Sequence, residues 1–264
     1  MLAGAVLLAG PGARAQQVLW ADAPGLPQAG RQAARPLSFY RTVAFRLPTL
    51  RQTLQPLAAA GAARRGAATA AVVVSLPLPD GSSQRFRVEE VPVMHPQLAA
   101  RYPDIQTYAA RGLDDPTATA RLDLSPAGFH AQILAADKTV YIDPVAGSPE
   151  THLVFERRAM QGAAVPFVCT TAPATRTLAA ATGSGAVAQR PNGATLRTFR
   201  LALACTGEYA AFHGGTKQSA LAAMVTSINR VNGIYERELA VRLVLVPNTD
   251  ELIFLAAATD PYTN

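Results

Sequence analysis

Between Tyr40 and Arg157 the chain repeats one device. A short run alternates apolar and polar residues, and a tight turn rich in Gly, Pro, Asp or Ser ends it. Period-two alternation puts every second side chain on one face of a strand, and a turn of a few residues sends the next strand back antiparallel. Tyr40–Leu47 reads as a strand with Val43, Phe45 and Leu47 on one side. Ala71–Leu78 and Gln84–Val91 flank Pro79-Asp80-Gly81 as a hairpin. Thr119–Leu124 and Phe129–Leu134 flank Ser125-Pro126-Ala127-Gly128 as a second, and Val140–Asp143 and Leu153–Arg157 continue the series. Thr49 can cap a short helix with Leu50, Leu54 and Leu57 on one stripe, and the Ala/Gly/Arg tract Ala58–Ala68 reads as a loose connection. Residues 36–160 are therefore a hairpin-rich β unit.

Composition narrows what such a unit serves. Of 264 residues 49% are hydrophobic and 16% charged, enough to bury a core and to exclude wholesale disorder. No apolar run reaches the ~18 residues that span a bilayer. The net charge is +6, carried almost wholly by arginine, since Lys138 and Lys217 are the only lysines. These arginines are scattered, with only Arg64-Arg65 and Arg157-Arg158 adjacent, and aromatics are 6%. Nucleic-acid binders cluster charge and interleave aromatics, so no nucleic-acid partner is expected. Two cysteines are too few for a disulfide scaffold or a four-thiolate zinc site.

The first residues carry export signals. Leu2–Gly10 is a short apolar run, Pro11-Gly12 breaks it, and Ala13-Arg14-Ala15 places small residues where a signal peptidase reads them. No Lys or Arg precedes the run. The expectation is a signal peptide over 1–15, a secreted product, and an oxidising compartment for Cys169 and Cys205. A flexible lead-in follows, so the β-rich region spans 16–168. The Ala, Thr, Gly and Pro of 169–194 read as a linker.

From residue 195 the texture changes. Leu196–Cys205 alternates, His213-Gly214-Gly215 is a turn, and Thr216 can cap a helix of about five turns. Its apolar stripe is Leu221, Met224, Val225, Ile228, Val231 and Tyr235. Ala240–Val246 is apolar throughout and reads as a strand buried on both faces. Strand, long helix, strand is a βαβ unit with parallel strands and a right-handed crossover. The fold class expected is α+β: a hairpin-rich region, then the first βαβ of an α/β domain. A βαβ needs more strands and a second helical layer to close a core. The sequence ends at Asn264 within a Thr259-Asp260-Pro261 turn, and the α/β domain is expected to be incomplete within these residues.

The residues hold few candidates for chemistry. The histidines are His95, His130, His152 and His213, and no two stand four apart, so no helical zinc-binding pair forms locally. His213, near Glu208, is a metal ligand or a solvated turn residue. Asp114-Asp115-Pro116 holds a cation or shapes a turn. Gly183-Ser184-Gly185 has no strand before it, and no Gly-x-Ser-x-Gly elbow occurs. Cys169, in Pro166-Phe167-Val168-Cys169-Thr170, carries a strong zinc-binding group. Such a thiolate on an inhibitory segment can fill the open position of a catalytic zinc. The alternative is a disulfide, with Cys205 or with a cysteine beyond Asn264.

Thr198-Phe199-Arg200-Leu201-Ala202-Leu203, Ile228–Leu239 ending in Val231-Asn232-Gly233-Ile234-Tyr235, and Val241–Leu245 resemble the opening of the catalytic domain of reprolysin-like zinc metallopeptidases, the group containing the adamalysins. Thr206-Gly207-Glu208-Tyr209 and Thr259–Asn264 are similar to the bacterial secreted members. Val93–Ile105 and Gly112-Leu113-Asp114-Asp115-Pro116 look like their prodomains. The resemblance implies the N-terminal portion of a secreted zinc metalloendopeptidase zymogen acting on protein substrates. Its zinc would be held by H-E-x-x-H-x-x-G-x-x-H beyond residue 264. No catalytic or metal-binding residue carries over to this chain, and Arg200 stands where the adamalysin branch often has an acidic calcium ligand. The competing reading is a non-enzymatic secreted β-rich binding or adhesion module.

Overall fold

The computed structural model describes residues 18–25, 36–62, 72–162 and 195–262. The hairpin device produces one nine-stranded antiparallel sheet. Its strands are β1 (Trp20–Asp22), β2 (Arg41–Phe45), β3 (Val72–Pro77), β4 (Ser83–Glu90), β5 (Gln106–Gly112), β6 (Thr119–Ser125), β7 (Gly128–Leu134), β8 (Thr139–Val145) and β9 (Ser148–Glu156), in the order β1-β2-β9-β8-β7-β6-β5-β4-β3. The turns form as their residues dictate. Asp80 Oδ1 accepts from the Ser82 amide at 3.0 Å and from its hydroxyl at 2.6 Å, and Gly81 takes φ +93°. Gly128 takes φ +123° at the next turn, where Ser125 Oγ accepts from the Ala127 amide.

The sheet curls until its two edge strands meet. The Trp20 indole on β1 donates to the Ser75 carbonyl on β3 at 2.9 Å, and Arg41 on β2 donates to the carbonyls of Leu78 and Ser82. Inside the curl lie Phe45, Leu76, Phe86, Tyr108, Leu122 and Phe129. Helix α1 (Leu47–Ala62) closes it with the stripe Leu50, Leu54 and Leu57, all buried. The helix begins two residues before Thr49, and Thr49 serves within its first turn, its carbonyl accepting from Thr53 Oγ1.

Three elements were not legible in the sequence. Strand β1 lies in the region read as a lead-in, and β5 carries Thr107, Ala109 and Ala110 where larger β-formers would mark a strand. The excursion between β4 and β5 contains α2 (Pro96–Arg101), with His95 as its N-cap.

After residue 195 come β10 (Arg197–Leu201), α3 (Gly207–Phe212), α4 (Lys217–Leu239) and β11 (Val241–Leu245). Strands β10 and β11 pair in parallel, as the βαβ reading requires. Thr216 and Ser219 form a capping box at the start of α4. Strand β11 is not buried on both faces: only Leu245 is fully buried, and the other four residues are half-exposed. Upstream residues pack against the edge of β11. Leu245 donates its amide to the Val93 carbonyl at 2.8 Å and accepts from the His95 amide at 3.0 Å, so Val93–His95 lies parallel beside β11. Leu98 of α2 packs into the same core.

The long helix also has two buried faces rather than one. Leu221, Met224, Val225 and Ile228 face the core shared with Met94, Leu98 and Leu245. Thr226, Asn229, Asn232 and Gly233 are buried on the flanks, and Tyr235, expected in the apolar stripe, is exposed. The reason is β6, whose outward residues Arg121 and Asp123 are covered by α4 and thus buried as fully as the inward Leu122 and Leu124.

Candidate functional site

The C-terminal unit has an open pocket of about 410 Å³ between the β10–α3 connection, α3 and α4, lined by Leu203, Cys205, Thr206, Tyr209, Met224 and Ile228 among others. Its polar groups are few: one thiol, two hydroxyls from Thr206 and Ser227, and the Tyr209 phenol. Burial pushes the Cys205 thiol and the Tyr209 phenol above their ordinary pKa values, so both stay protonated at neutral pH. An uncharged thiol is a poor nucleophile and a poor metal ligand.

Next to this pocket the chain closes a loop. Thr206 caps α3 by accepting from the Tyr209 amide, and the Gly207 amide donates to Asp260 Oδ2 at 2.8 Å. Gly207 packs so tightly on the backbone of Ala256–Ala257 that a Cβ would overlap it. The two stretches singled out by resemblance, 206–209 and 259–264, therefore meet through these residues.

Each histidine has a local structural partner. His95 Nδ1 accepts from the Gln97 amide. His213 ends α3, with its ring 4.4 Å from Tyr209 and 5.0 Å from Phe212, and burial lowers its pKa. His152 lies inside the curl against Phe45, its Nδ1–H donating to the Glu150 carbonyl, and burial pushes its pKa down to about 4. His130 Nδ1 lies 3.1 Å from Asp123 Oδ2. Asp114 grips the Arg85 guanidinium and amide, and Asp115 caps the turn at Thr117, so the pair shapes a loop. Arg200 lies on β10. Cys169 lies outside the described residues. Cys205 carries no disulfide among them.

Zinc needs three or four N, S or O donors converging on one point. Among the described residues no three His, Cys, Asp or Glu side chains do so, and these residues do not fit a zinc ion. No helix among them is long and apolar enough to cross a membrane.

A parallel strand pair joined by a long capped helix defines the C-terminal unit as a βαβ unit. Residues 195–264 match the reprolysin-like metallopeptidase family M12B, and the match begins two residues before β10. No curated protein matches the chain.

Proposed function

We propose that this chain is the N-terminal portion of a secreted zinc metalloendopeptidase precursor, in which 16–168 is a prodomain and 195–264 opens the catalytic domain. The observation that carries the reading is the family match over 195–264, which coincides with a parallel βαβ folded from the same residues. Metallopeptidases of this kind cleave protein substrates. The signal-like residues 1–15 and the linker-like 169–194 support export and a cleavable connection. In this reading Cys169, at the start of the linker, supplies a latency thiolate.

The family match weighs against a binding or adhesion module. The test is the gene product read through past Asn264. It is expected to encode H-E-x-x-H with a third histidine six residues on, to hold one zinc, and to hydrolyse casein until chelated. An open frame without that histidine set, or a purified full-length product free of zinc and of peptidase activity, overturns the reading. Residues 16–264 alone are expected to show no zinc-dependent hydrolysis.

A further inference from the structure

Four ionisable side chains meet where α4 crosses the outer face of β6–β8. Asp123 on β6 stands directly opposite His130 on β7, with Oδ2 and Nδ1 3.1 Å apart. From α4, Thr226 Oγ1 donates to the same Oδ2 at 2.7 Å. Arg230 of α4 pairs with Asp143 on β8 and lies over the Tyr141 ring at 5.2 Å. Arg121, the next outward residue of β6, is taken by Glu236 of α4. His152 on β9 also feels the charge of His130, and its own pKa of about 4 keeps it neutral above that range.

The Asp123 side chain is 3% exposed, so its countercharge has to come from within the contact. Arg230 is committed to Asp143 and Thr226 offers a neutral hydroxyl, which leaves His130. Two carboxylates are balanced by one guanidinium and one imidazolium, and the balance fails when the imidazole is neutral. Nδ1 is also poorly aligned for a hydrogen bond, so the contact draws its strength from charge. The ring is 17% exposed, and protons reach it from solvent without unfolding.

We propose that His130 is a pH-sensitive latch for α4: with the imidazole charged the helix is seated on β6–β8 through Asp123 and Thr226, and with it neutral that seat loosens. Burial alone would lower the pKa of His130, but Asp123 and Asp143 outweigh it and raise the value. The latch is therefore fully set below the unfolded value of about 6.5 and is released as pH rises through the folded one. Strands β6 and β7 are tied by their own ladder, so the strain of an uncompensated Asp123 falls on α4. The apolar core that α4 shares with Met94, Leu98 and Leu245 holds no histidine or carboxylate and persists at either pH. The helix thus loosens on its sheet-facing side and stays in place on the other. The inference rests on this cluster and holds whatever chemistry the C-terminal unit serves.

The test is amide hydrogen exchange of the whole chain at pH 6 and pH 8.5, read as protection factors, beside an NMR titration of the His130 ring. The α4 amides of 226–233 are expected to lose protection about tenfold for every pH unit by which His130 titrates above the ordinary value. Those of the β6–β7 ladder are expected to keep theirs. His130→Gln is expected to be as weakly protected in α4 at pH 6 as the parent is at pH 8.5, with no further change. Asp123→Asn removes the charge that needs balancing and keeps an oxygen for Thr226, so its α4 is expected to stay protected at both pH values. His152→Phe is expected to respond as the parent does. Equal protection of α4 in the parent at the two pH values overturns the proposal. So does a His130→Gln or Asp123→Asn variant that responds like the parent, a His152→Phe variant that does not respond, or a loss shared equally by β6 and β7.

Discussion

The Asp260 carboxylate accepts a hydrogen bond from the Gly207 amide at 2.8 Å, 53 residues away in sequence, and thereby ties the last described turn to the start of α3. The same carboxylate accepts from the Tyr262 amide at 2.9 Å, so one side chain shapes its own turn and anchors it. Asp260→Ala leaves the Gly207 amide without its acceptor and is expected to cost about 1–2 kcal/mol. Gly207→Ala drives a methyl into the Ala256–Ala257 backbone and is expected to cost more, about 2–3 kcal/mol. Urea unfolding of both variants checks the order: equal stability would mean that Gly207 is not confined as described.

His152 makes the N-terminal sheet less stable toward acid pH. Its folded pKa of about 4 lies below the unfolded value, so the unfolded chain takes up the proton first. Stability is expected to fall as pH drops from about 6.5 toward 4, by about 3 kcal/mol for this group at full effect. His152→Phe keeps the ring beside Phe45 and removes the titration. A variant whose denaturant midpoint declines as steeply as the parent's over that window would refute the assignment.

His130 acts in the opposite direction. Burial alone would lower its pKa, but the neighbouring Asp123, with Asp143 beyond it, outweighs burial and raises it, while Arg230 opposes. The group faces Asp123 on β6, Asp143 on β8 and Arg230 on α4. A raised folded pKa gives stability that is fully present below the unfolded pKa and is lost as pH rises through the folded one. The parent is therefore expected to lose stability as pH rises above the ordinary histidine value of about 6.5, and His130→Gln to flatten that decline. Thermal melts from pH 6 to 9 compare the two, and parallel slopes would exclude His130 as the cause.

Helix α4 ends on Ala240 at φ +52°, the one non-glycine residue with positive φ among the described residues. Its amide donates to the Tyr235 carbonyl, so the conformation is part of the helix end. Ala240→Gly is expected to stabilise by about 0.5–1 kcal/mol, since the left-handed region costs glycine nothing. Equilibrium unfolding decides it, and destabilisation would show that the Ala240 methyl contributes packing.

Hairpins were legible in the sequence because turn residue and alternation speak together there, as at Asp80-Gly81 and Ser125–Gly128. The βαβ was legible because its helix has a capping residue and an apolar stripe. What covers that helix was not. Thr226, Asn229, Arg230 and Glu236 look like solvent-facing residues until Arg121, Asp123 and Asp143, about 100 residues upstream, are placed opposite them. A polar stripe becomes an interface only by matching a distant partner, and period alone does not reveal a partner. Val93–His95 was similarly hidden: three residues ending before Pro96 carry no strand pattern, yet they complete the edge of β11.

Among the described residues the curl of the nine-stranded sheet is shut by side chains and not by a ninth ladder of backbone hydrogen bonds between β1 and β3. A closed barrel must break a whole ladder to open, whereas here an indole on Ser75 and one guanidinium on Leu78 and Ser82 hold the lips together. Fluctuations that expose the interior should run along this seam first, so β1 and β3 are expected to exchange their amide hydrogens ahead of β6 and β7, which lie against α4.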